Sequence, residues 1–163
     1  MLVALFSDIH DHTTHLLLAL QTAREQGCTH LCFMGDMAGF STFSLLCEEW
    51  PFGMDIVFGN NEYEIAAFRR FADKQLGTTL HGAEADIVLD NRHVYFTHLP
   101  WHAKKTAEAG GHDAVFYGHT HEAGISQIGR TLLVNPGEIY GRQAAPSIGV
   151  YDTTDNSARI ICI

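Results

Sequence analysis

Basic side chains are scarce in this sequence of 163 residues. Lysine and arginine together number 10 against 19 acidic residues, so the net charge is −9 with histidine neutral. The only basic pairs are Arg69-Arg70 and Lys104-Lys105. A protein that binds extended DNA or RNA without sequence preference needs a basic stripe on its surface. The composition therefore argues against an extended nucleic-acid partner.

Long apolar runs are also missing. No stretch approaches the roughly 20 apolar residues of a membrane-spanning helix, so no membrane association is expected. The apolar run 1–7 has no basic segment before it, and Asp8 and His10 follow at once, which is not the pattern of a secretory signal.

Cysteine is limited to four residues, Cys28, Cys32, Cys47 and Cys162. The first two have a C-x3-C spacing, which is neither the redox spacing nor the usual zinc spacing. Because most of the four lie in apolar stretches, we expect buried, reduced thiols in a cytoplasmic protein.

The residues that are present favour one folded domain over 1–163. Hydrophobic residues make up 46% and charged residues 18%, a composition that excludes a disordered chain. Apolar runs predict strands at 2–6, 30–34, 55–58 and 114–117, and hairpins at 87–96, 125–134 and 148–163. Helices are predicted from 11 or 13 to 26, at 41–49, at 61–74 and at 104–109. These elements predict an α/β fold in which two mixed β-sheets pack as a sandwich flanked by helices.

Polar residues that a core does not need follow the predicted buried strands. They are Asp8, His10, Asp36, Asn60, Asn61, His98, His119 and His121. Ligand sites in α/β sheets lie outside the carboxyl ends of the strands, so these side chains should converge on one crevice. Carboxylate, amide oxygen and imidazole together form the mixed ligand set that divalent transition metals prefer.

Five sequence blocks carry this pattern in a fixed order. They are Asp8-Ile9-His10, Gly35-Asp36, Gly59-Asn60-Asn61-Glu62, His98 and Gly118-His119-Thr120-His121. Their order resembles the calcineurin-like metallophosphoesterase superfamily over nearly the whole chain. The short length and Asn135-Pro136-Gly137 are similar to its small bacterial and archaeal phosphodiesterase branch. The resemblance implies the four-layer fold of that family.

The resemblance also implies a ligand set and a reaction. Asp8, His10 and His121 would hold one metal ion, Asn60, His98 and His119 a second, and Asp36 would bridge the two. Two divalent ions are implied, with Mn first and Fe, Ni, Co or Zn also suited to the ligands. A metal-bridging hydroxide would attack a small or nucleotide-type phosphoester, with Asp36 and Asn61 as catalytic residues. Small relatives of this kind form homodimers or homotetramers, so either state is compatible with the resemblance.

The chain departs from the family pattern at two informative positions. Asn61 stands where many relatives have a histidine that protonates the leaving group, and asparagine cannot supply a proton. Glu138 follows Asn135-Pro136-Gly137 where serine is frequent. Both departures affect the substrate pocket rather than the metal site, and His12 or His102, near the motif loops, could substitute for the missing acid.

Two other functions are compatible with the sequence. The same fold serves as a protein-interaction scaffold in the retromer subunit, and larger relatives are nucleases. The complete ligand set favours an enzyme over a scaffold, because so many metal-type residues at strand ends have no packing rationale. The remaining histidines, expected to be surface or structural groups, are His15, His30, His81, His93 and His112.

Overall fold

The computed structural model describes residues 1–163 as eleven strands and four helices. In chain order they are β1 (Leu2–Phe6), α1 (Thr13–Glu25), β2 (His30–Phe33), α2 (Phe40–Glu49), β3 (Gly53–Val57), α3 (Ile65–Ala72), β4 (Thr78–Gly82), β5 (Glu84–Leu89), β6 (Arg92–Thr97), α4 (Pro100–Ala109), β7 (Ala114–Phe116), β8 (Gly124–Ile128), β9 (Thr131–Asn135), β10 (Ser147–Asp152) and β11 (Ser157–Cys162). None of the helices is long and apolar enough to cross a bilayer.

Both sheets are mixed. The first has six strands in the order β11-β10-β1-β2-β3-β4, with β1 to β4 parallel and β10 and β11 antiparallel. The second has five strands in the order β5-β6-β7-β9-β8, with β6, β7 and β9 parallel. The predicted α/β fold with two mixed sheets and flanking helices is confirmed.

Strand β1 is apolar throughout because both of its faces are buried. Ala4 and Phe6 pack in the core beneath the helices, whereas Val3 and Leu5 pack in the core between the two sheets. Successive side chains of a strand point to opposite faces, so a strand covered on both faces needs a continuous apolar run. Helix α4 covers the outer face of the second sheet through a smaller cluster that includes Ala103 and Ala107.

Local predictions differ from the structure in several places, and helix α4 begins at Pro100 rather than at 104. Helix α3 begins at Ile65 rather than at 61, because Glu62 accepts hydrogen bonds from the backbone N–H groups of Met37 and Gly59 and holds the preceding segment as a loop. Strand β4 was not predicted, since its Thr-Thr-Leu-His-Gly sequence lacks an apolar run. Cys162 is exposed, whereas the other three cysteines are buried and free, as expected.

Asp55 joins three neighbouring strands, β2, β3 and β4. His30 Nε2 lies 2.7 Å from Asp55 Oδ2, and His81 Nε2 lies 2.6 Å from Asp55 Oδ1. Burial alone would raise the pKa of Asp55, but the hydrogen bonds from His30 and His81 lower it on balance. The ionised carboxylate is therefore the form that the fold stabilises.

We expect Asp55→Asn to lower the free energy of unfolding by about 1.5–3 kcal/mol at pH 7, the range for hydrogen bonds to a charged group. Because the native pKa lies below the unfolded value of about 3.9, this stabilisation is complete above that value and is lost as the pH falls through the native pKa. Urea unfolding at several pH values measures it. Asp73→Asn, at an exposed aspartate, is the matched control, and equal stability of the two variants at pH 7 would contradict the prediction.

Candidate metal centre

The carboxyl ends of β1, β2, β3, β6 and β7 meet at one edge of the sandwich. They carry Asp8 and His10, Asp36, Asn60, His98, and His119 and His121, respectively. Two groups of potential ligands form there, Asp8 with His10 and His121, and Asp36 with His98 and His119. Within each group the ligand atoms lie within 4.8 Å of one another. Asn60 is exposed and lines the same cleft.

Asp36 lies between the two groups. Its Oδ2 atom is 3.4 Å from His98 Nε2 and 3.7 Å from His10 Nε2. In the other group, Asp8 Oδ1 is 3.4 Å from His121 Nε2 and 3.7 Å from His10 Nε2. The Asp36 carboxylate is thus positioned to contact a cation in either group.

Two buried polar atoms at this site have no hydrogen-bond partner, namely Asp8 Oδ1 and His10 Nε2. Buried side-chain oxygen and nitrogen atoms are paired in the large majority of cases, so each such atom needs an explanation. A cation between these two atoms would satisfy both of them. The residues present therefore fit a divalent metal ion.

Outer partners fix the orientation of two histidines. His98 Nδ1 lies 2.7 Å from the Met34 carbonyl oxygen, and His121 Nδ1 lies 2.6 Å from Glu138 Oε2. Each contact directs the opposite nitrogen, Nε2, into the site. Metal-bound histidines characteristically have such a carbonyl or carboxylate on the far side of the ring.

Glu138 is a residue whose role sequence reasoning missed, although its departure from serine was visible. It is fully buried and accepts hydrogen bonds from the backbone N–H groups of Gln143 and Ala144 as well as contacting His121. Burial would raise the pKa of Glu138, but these backbone contacts and His121 lower it on balance. A buried ionised carboxylate thus supports His121 from behind.

Five of the seven residues predicted as metal ligands have a left-handed backbone. Their φ values are 56° for Asp8, 47° for His10, 61° for Asp36, 70° for His119 and 62° for His121. This conformation is uncommon for residues other than glycine and clusters at functional sites. The strained backbone is therefore concentrated where the potential ligands converge.

Glycines permit the close approach of the loops. A Cβ atom at Gly59 would overlap Asp36 Oδ1, and one at Gly118 would overlap Ser7 Oγ and approach Asp8 Oδ2 to 2.8 Å. Ser7 Oγ donates to that same Asp8 oxygen at 2.6 Å. The glycines of the sequence blocks are thus required because the carboxylates contact backbone directly.

The charges at the site stabilise one another. Burial would raise the pKa of Asp36, but hydrogen bonds and charge from His98, with hydrogen bonds from Asn61, hold it well below its usual range. The nearby Asp8 carboxylate, with Asp36, raises the pKa of His10 although burial lowers it. Burial lowers the pKa of His98, but Asp36 and Asp8 raise it on balance. A bound cation would replace the protons that these histidines otherwise hold.

An open cleft of about 330 Å³ lies over the two groups. Its lining comprises His10, Asp36, Asn60, Asn61, His119, His121, Tyr140, Arg142 and Gln143. Arg142 is the only arginine or lysine among them, and sequence reasoning did not find it. The backbone N–H of Tyr140 donates to the Asp8 carbonyl at 2.9 Å, which brings this segment to the site.

The other residues flagged from sequence lie in different places. Asn61 lines the cleft, and its Nδ2 donates to Asp36 Oδ2 at 2.6 Å. His12 caps helix α1 by accepting from the His15 backbone N–H, and it does not line the cleft. His102 is exposed on α4 and lines a small neighbouring pocket with Asn60 and His98.

Residues 1–156 match the family model of the calcineurin-like phosphoesterase superfamily domain. The chain therefore belongs to this superfamily of metal-dependent enzymes, and it is a hydrolase that acts on phosphoester bonds. The family predicted from the five sequence blocks is confirmed.

Similar proteins identify the branch. The chain is 25% identical over 170 residues to phosphodiesterase MJ0936 of Methanocaldococcus jannaschii, covering 100% of this chain and 99% of the relative. The structure of a novel archaeal phosphodiesterase has a TM-score of 0.92 at 24% identity, and that of Yfce, a phosphoesterase from E. coli, has 0.72 at 19%. Each of the two comparisons covers 100% of both chains. The predicted small archaeal and bacterial branch is confirmed.

Proposed function

We propose that this chain is a dinuclear metal-dependent phosphodiesterase that hydrolyses a small or nucleotide-type phosphoester. The observation that carries the proposal is the pair of ligand groups joined by Asp36, with buried Asp8 Oδ1 and His10 Nε2 lacking any other partner. The phosphodiesterase from Methanocaldococcus jannaschii supports a diester rather than a monoester as substrate.

The proposed ligand roles follow the two groups. Asp8, His10 and His121 would hold one ion, Asn60, His98 and His119 would hold the other, and Asp36 would contribute to both. Manganese is the first choice for this nitrogen and oxygen set, which also suits Fe, Ni, Co and Zn. When bound, two divalent cations supply Lewis acidity and activate the attacking water.

The chain's own residues select and hold the substrate. Arg142 lies at the cleft and can donate paired N–H groups to two oxygens of a phosphate. Asn61 Nδ2 is a second donor at the same cleft. A cleft of about 330 Å³ suits a small ester, while the surface of net charge −9 disfavours a long polyanion.

The left-handed backbone of five potential ligands favours an enzyme over a protein-interaction scaffold. A residue held in a sparsely populated region of φ and ψ costs on the order of 1–3 kcal/mol. Five such residues at one edge are difficult to explain if the fold serves only as an interaction surface. A metal centre that needs these side chains in fixed directions explains them.

Metal removal tests the proposal. We expect hydrolysis of bis(p-nitrophenyl) phosphate to disappear after dialysis against EDTA and to return on addition of Mn²⁺ or Ni²⁺, since no side chain of the site replaces the nucleophile that the ions supply. Release of p-nitrophenolate measures the activity, and p-nitrophenyl phosphate and cyclic nucleotides measure ester preference. Activity that survives exhaustive chelation would overturn the mechanism, and metal uptake without any hydrolysis would support the scaffold.

We further propose a cytoplasmic location and a homodimer or homotetramer. The free, buried thiols of Cys28, Cys32 and Cys47 support a reducing compartment. Light scattering of the purified protein measures the oligomeric state.

A further inference from the structure

A second cluster of potential metal ligands lies away from the cleft. Asp86 is on β5, His93 is on β6, and His112 precedes β7, and their ligand atoms lie within 4.8 Å of one another. His93 is near the start of β6, whereas His98 follows its end. At about 3.3 Å per residue the two histidines are about 16 Å apart along the strand, so the cluster is separate from the centre described above.

Both ring nitrogens of His93 face an acceptor, so the ring is satisfied either as an imidazolium or with a metal ion at one nitrogen. Its Nδ1 lies 3.0 Å from the Gly111 carbonyl oxygen, and its Nε2 lies 2.6 Å from Asp86 Oδ1. A neutral imidazole has only one N–H, so a neutral ring can donate to only one of these acceptors. A metal ion at Nε2 would leave Nδ1–H to donate to Gly111, the usual outer contact of a metal-bound histidine.

Neither ring nitrogen of His112 has a hydrogen-bond partner. Its Nε2 lies 3.4 Å from Asp86 Oδ2, and both of its ring nitrogens are buried and make no hydrogen bond. Only four buried side-chain nitrogen or oxygen atoms in the chain lack a partner. Two belong to Asp8 and His10 at the main centre and two to His112, so the unsatisfied atoms coincide with the two places where ligands cluster.

We propose that Asp86, His93 and His112 form a mononuclear site for Zn²⁺ or a similar divalent metal ion. Two imidazoles and one carboxylate are a frequent protein ligand set for such an ion, with water in the remaining position. The side chains of Asp86 and His93 are 56% and 45% exposed, which gives the ion access from solvent. The bound ion links the β5–β6 hairpin to the loop between α4 and β7.

Zinc stoichiometry tests the site. Wild type, Asp86→Asn and His112→Gln are equilibrated with Zn²⁺, freed of unbound ion by gel filtration, and analysed by mass spectrometry. Each variant is expected to retain one zinc per chain fewer than wild type. The control Glu108→Gln, which removes an exposed carboxylate lining the same cavity as His112, retains the wild-type number.

The difference between wild type and variant does not depend on how many ions the main centre holds, so this test is independent of the proposed dinuclear function. Equal zinc content in wild type and both variants overturns the proposal, and so does an equal loss in Glu108→Gln, which indicates non-specific surface binding.

A spectroscopic titration tests the ligands directly. Addition of Zn²⁺ is expected to shift the imidazole NMR signals of both His93 and His112 in wild type and to leave them unmoved in Asp86→Asn. Hydrolysis of bis(p-nitrophenyl) phosphate by Asp86→Asn stays at the wild-type rate. If the His93 and His112 signals of wild type do not shift on addition of Zn²⁺, the proposal is overturned.

Discussion

Replacing Asp36 with alanine is expected to lower kcat/KM for a phosphodiester by about 10³-fold or more and to reduce the metal content of the protein. Asp36 is the carboxylate within 3.7 Å of histidines from both ligand groups, so its loss would remove the negative charge that lies between the two proposed cations. At 1.36 kcal/mol per tenfold change, that factor corresponds to about 4 kcal/mol, the upper range for one electrostatic contact at an active site. Steady-state kinetics and metal analysis measure the two effects.

Asp36 also positions the loop that follows β3. One of its oxygens accepts hydrogen bonds from the backbone N–H groups of Asn60 and Asn61 at 2.8 and 2.9 Å. Asp36→Ala therefore releases Asn60, a proposed ligand of the second ion. Asp36→Asn retains the shape of the side chain but not the charge, so it separates the electrostatic effect from the positioning effect.

Two further variants serve as comparisons for Asp36→Ala. His121→Ala should reduce activity less, because Asp8, His10 and Asp36 remain for its ion. Asp11→Asn changes a neighbouring carboxylate that bonds the Gly39 backbone N–H and lies outside both ligand groups, so its metal content should match wild type. Equal residual activity and metal content in Asp36→Ala and His121→Ala would contradict the ranking.

The sequence predicts the buried strands and their polar ends well, because both signals are local. A run such as Leu2–Phe6 is apolar on both faces, and Asp8 and His10 follow it directly. Strand β4 escapes prediction because its residues are mostly polar and it pairs only with β3, at the edge of its sheet.

Residues that reach the centre through distant pairing also escape prediction. The backbone N–H groups of Ile139 and Tyr140 donate to the carbonyls of Ser7 and Asp8, and this pairing brings Glu138 beside His121. More than 120 residues separate the paired segments, and no sequence pattern within either segment predicts the contact.

The cluster of Asp86, His93 and His112 shows the same limit. Single histidines without motif spacing are most often surface or structural groups, so the sequence alone predicts those roles for His93 and His112. Their proximity to Asp86 depends on the β5–β6 register, in which Val88 lies opposite His93, and on the loop before β7. Neither can be derived from the spacing of the three residues.

The identity of residue 61 should control which leaving groups the enzyme tolerates. We expect wild type to hydrolyse aryl phosphodiesters faster than alkyl monoesters, because Asn61 donates a hydrogen bond but cannot deliver a proton to the leaving oxygen. General acid catalysis typically contributes ~10²–10⁴-fold, and it matters most for a poor leaving group. Asn61→His should therefore raise rates on alkyl esters more than on aryl esters.

The structure places Asn61 where such a substitution can act. Its side chain lines the cleft and contacts Asp36 Oδ2, and helix α3 begins four residues later with Glu64 at its N-cap. Asn61 therefore does not cap helix α3. A histidine at position 61 would line the cleft in which the phosphoester is proposed to bind.

A series of phosphodiesters with graded leaving-group pKa, measured in three proteins, decides the matter. In wild type, log kcat should fall steeply as the pKa of the leaving group rises, and the slope should be shallower in Asn61→His. Asn61→Ala is the matched control, since it removes the hydrogen bond to Asp36 without adding an acid, and its slope should stay as steep as that of wild type. An identical slope in Asn61→His and wild type would exclude a missing general acid as the reason for the leaving-group preference.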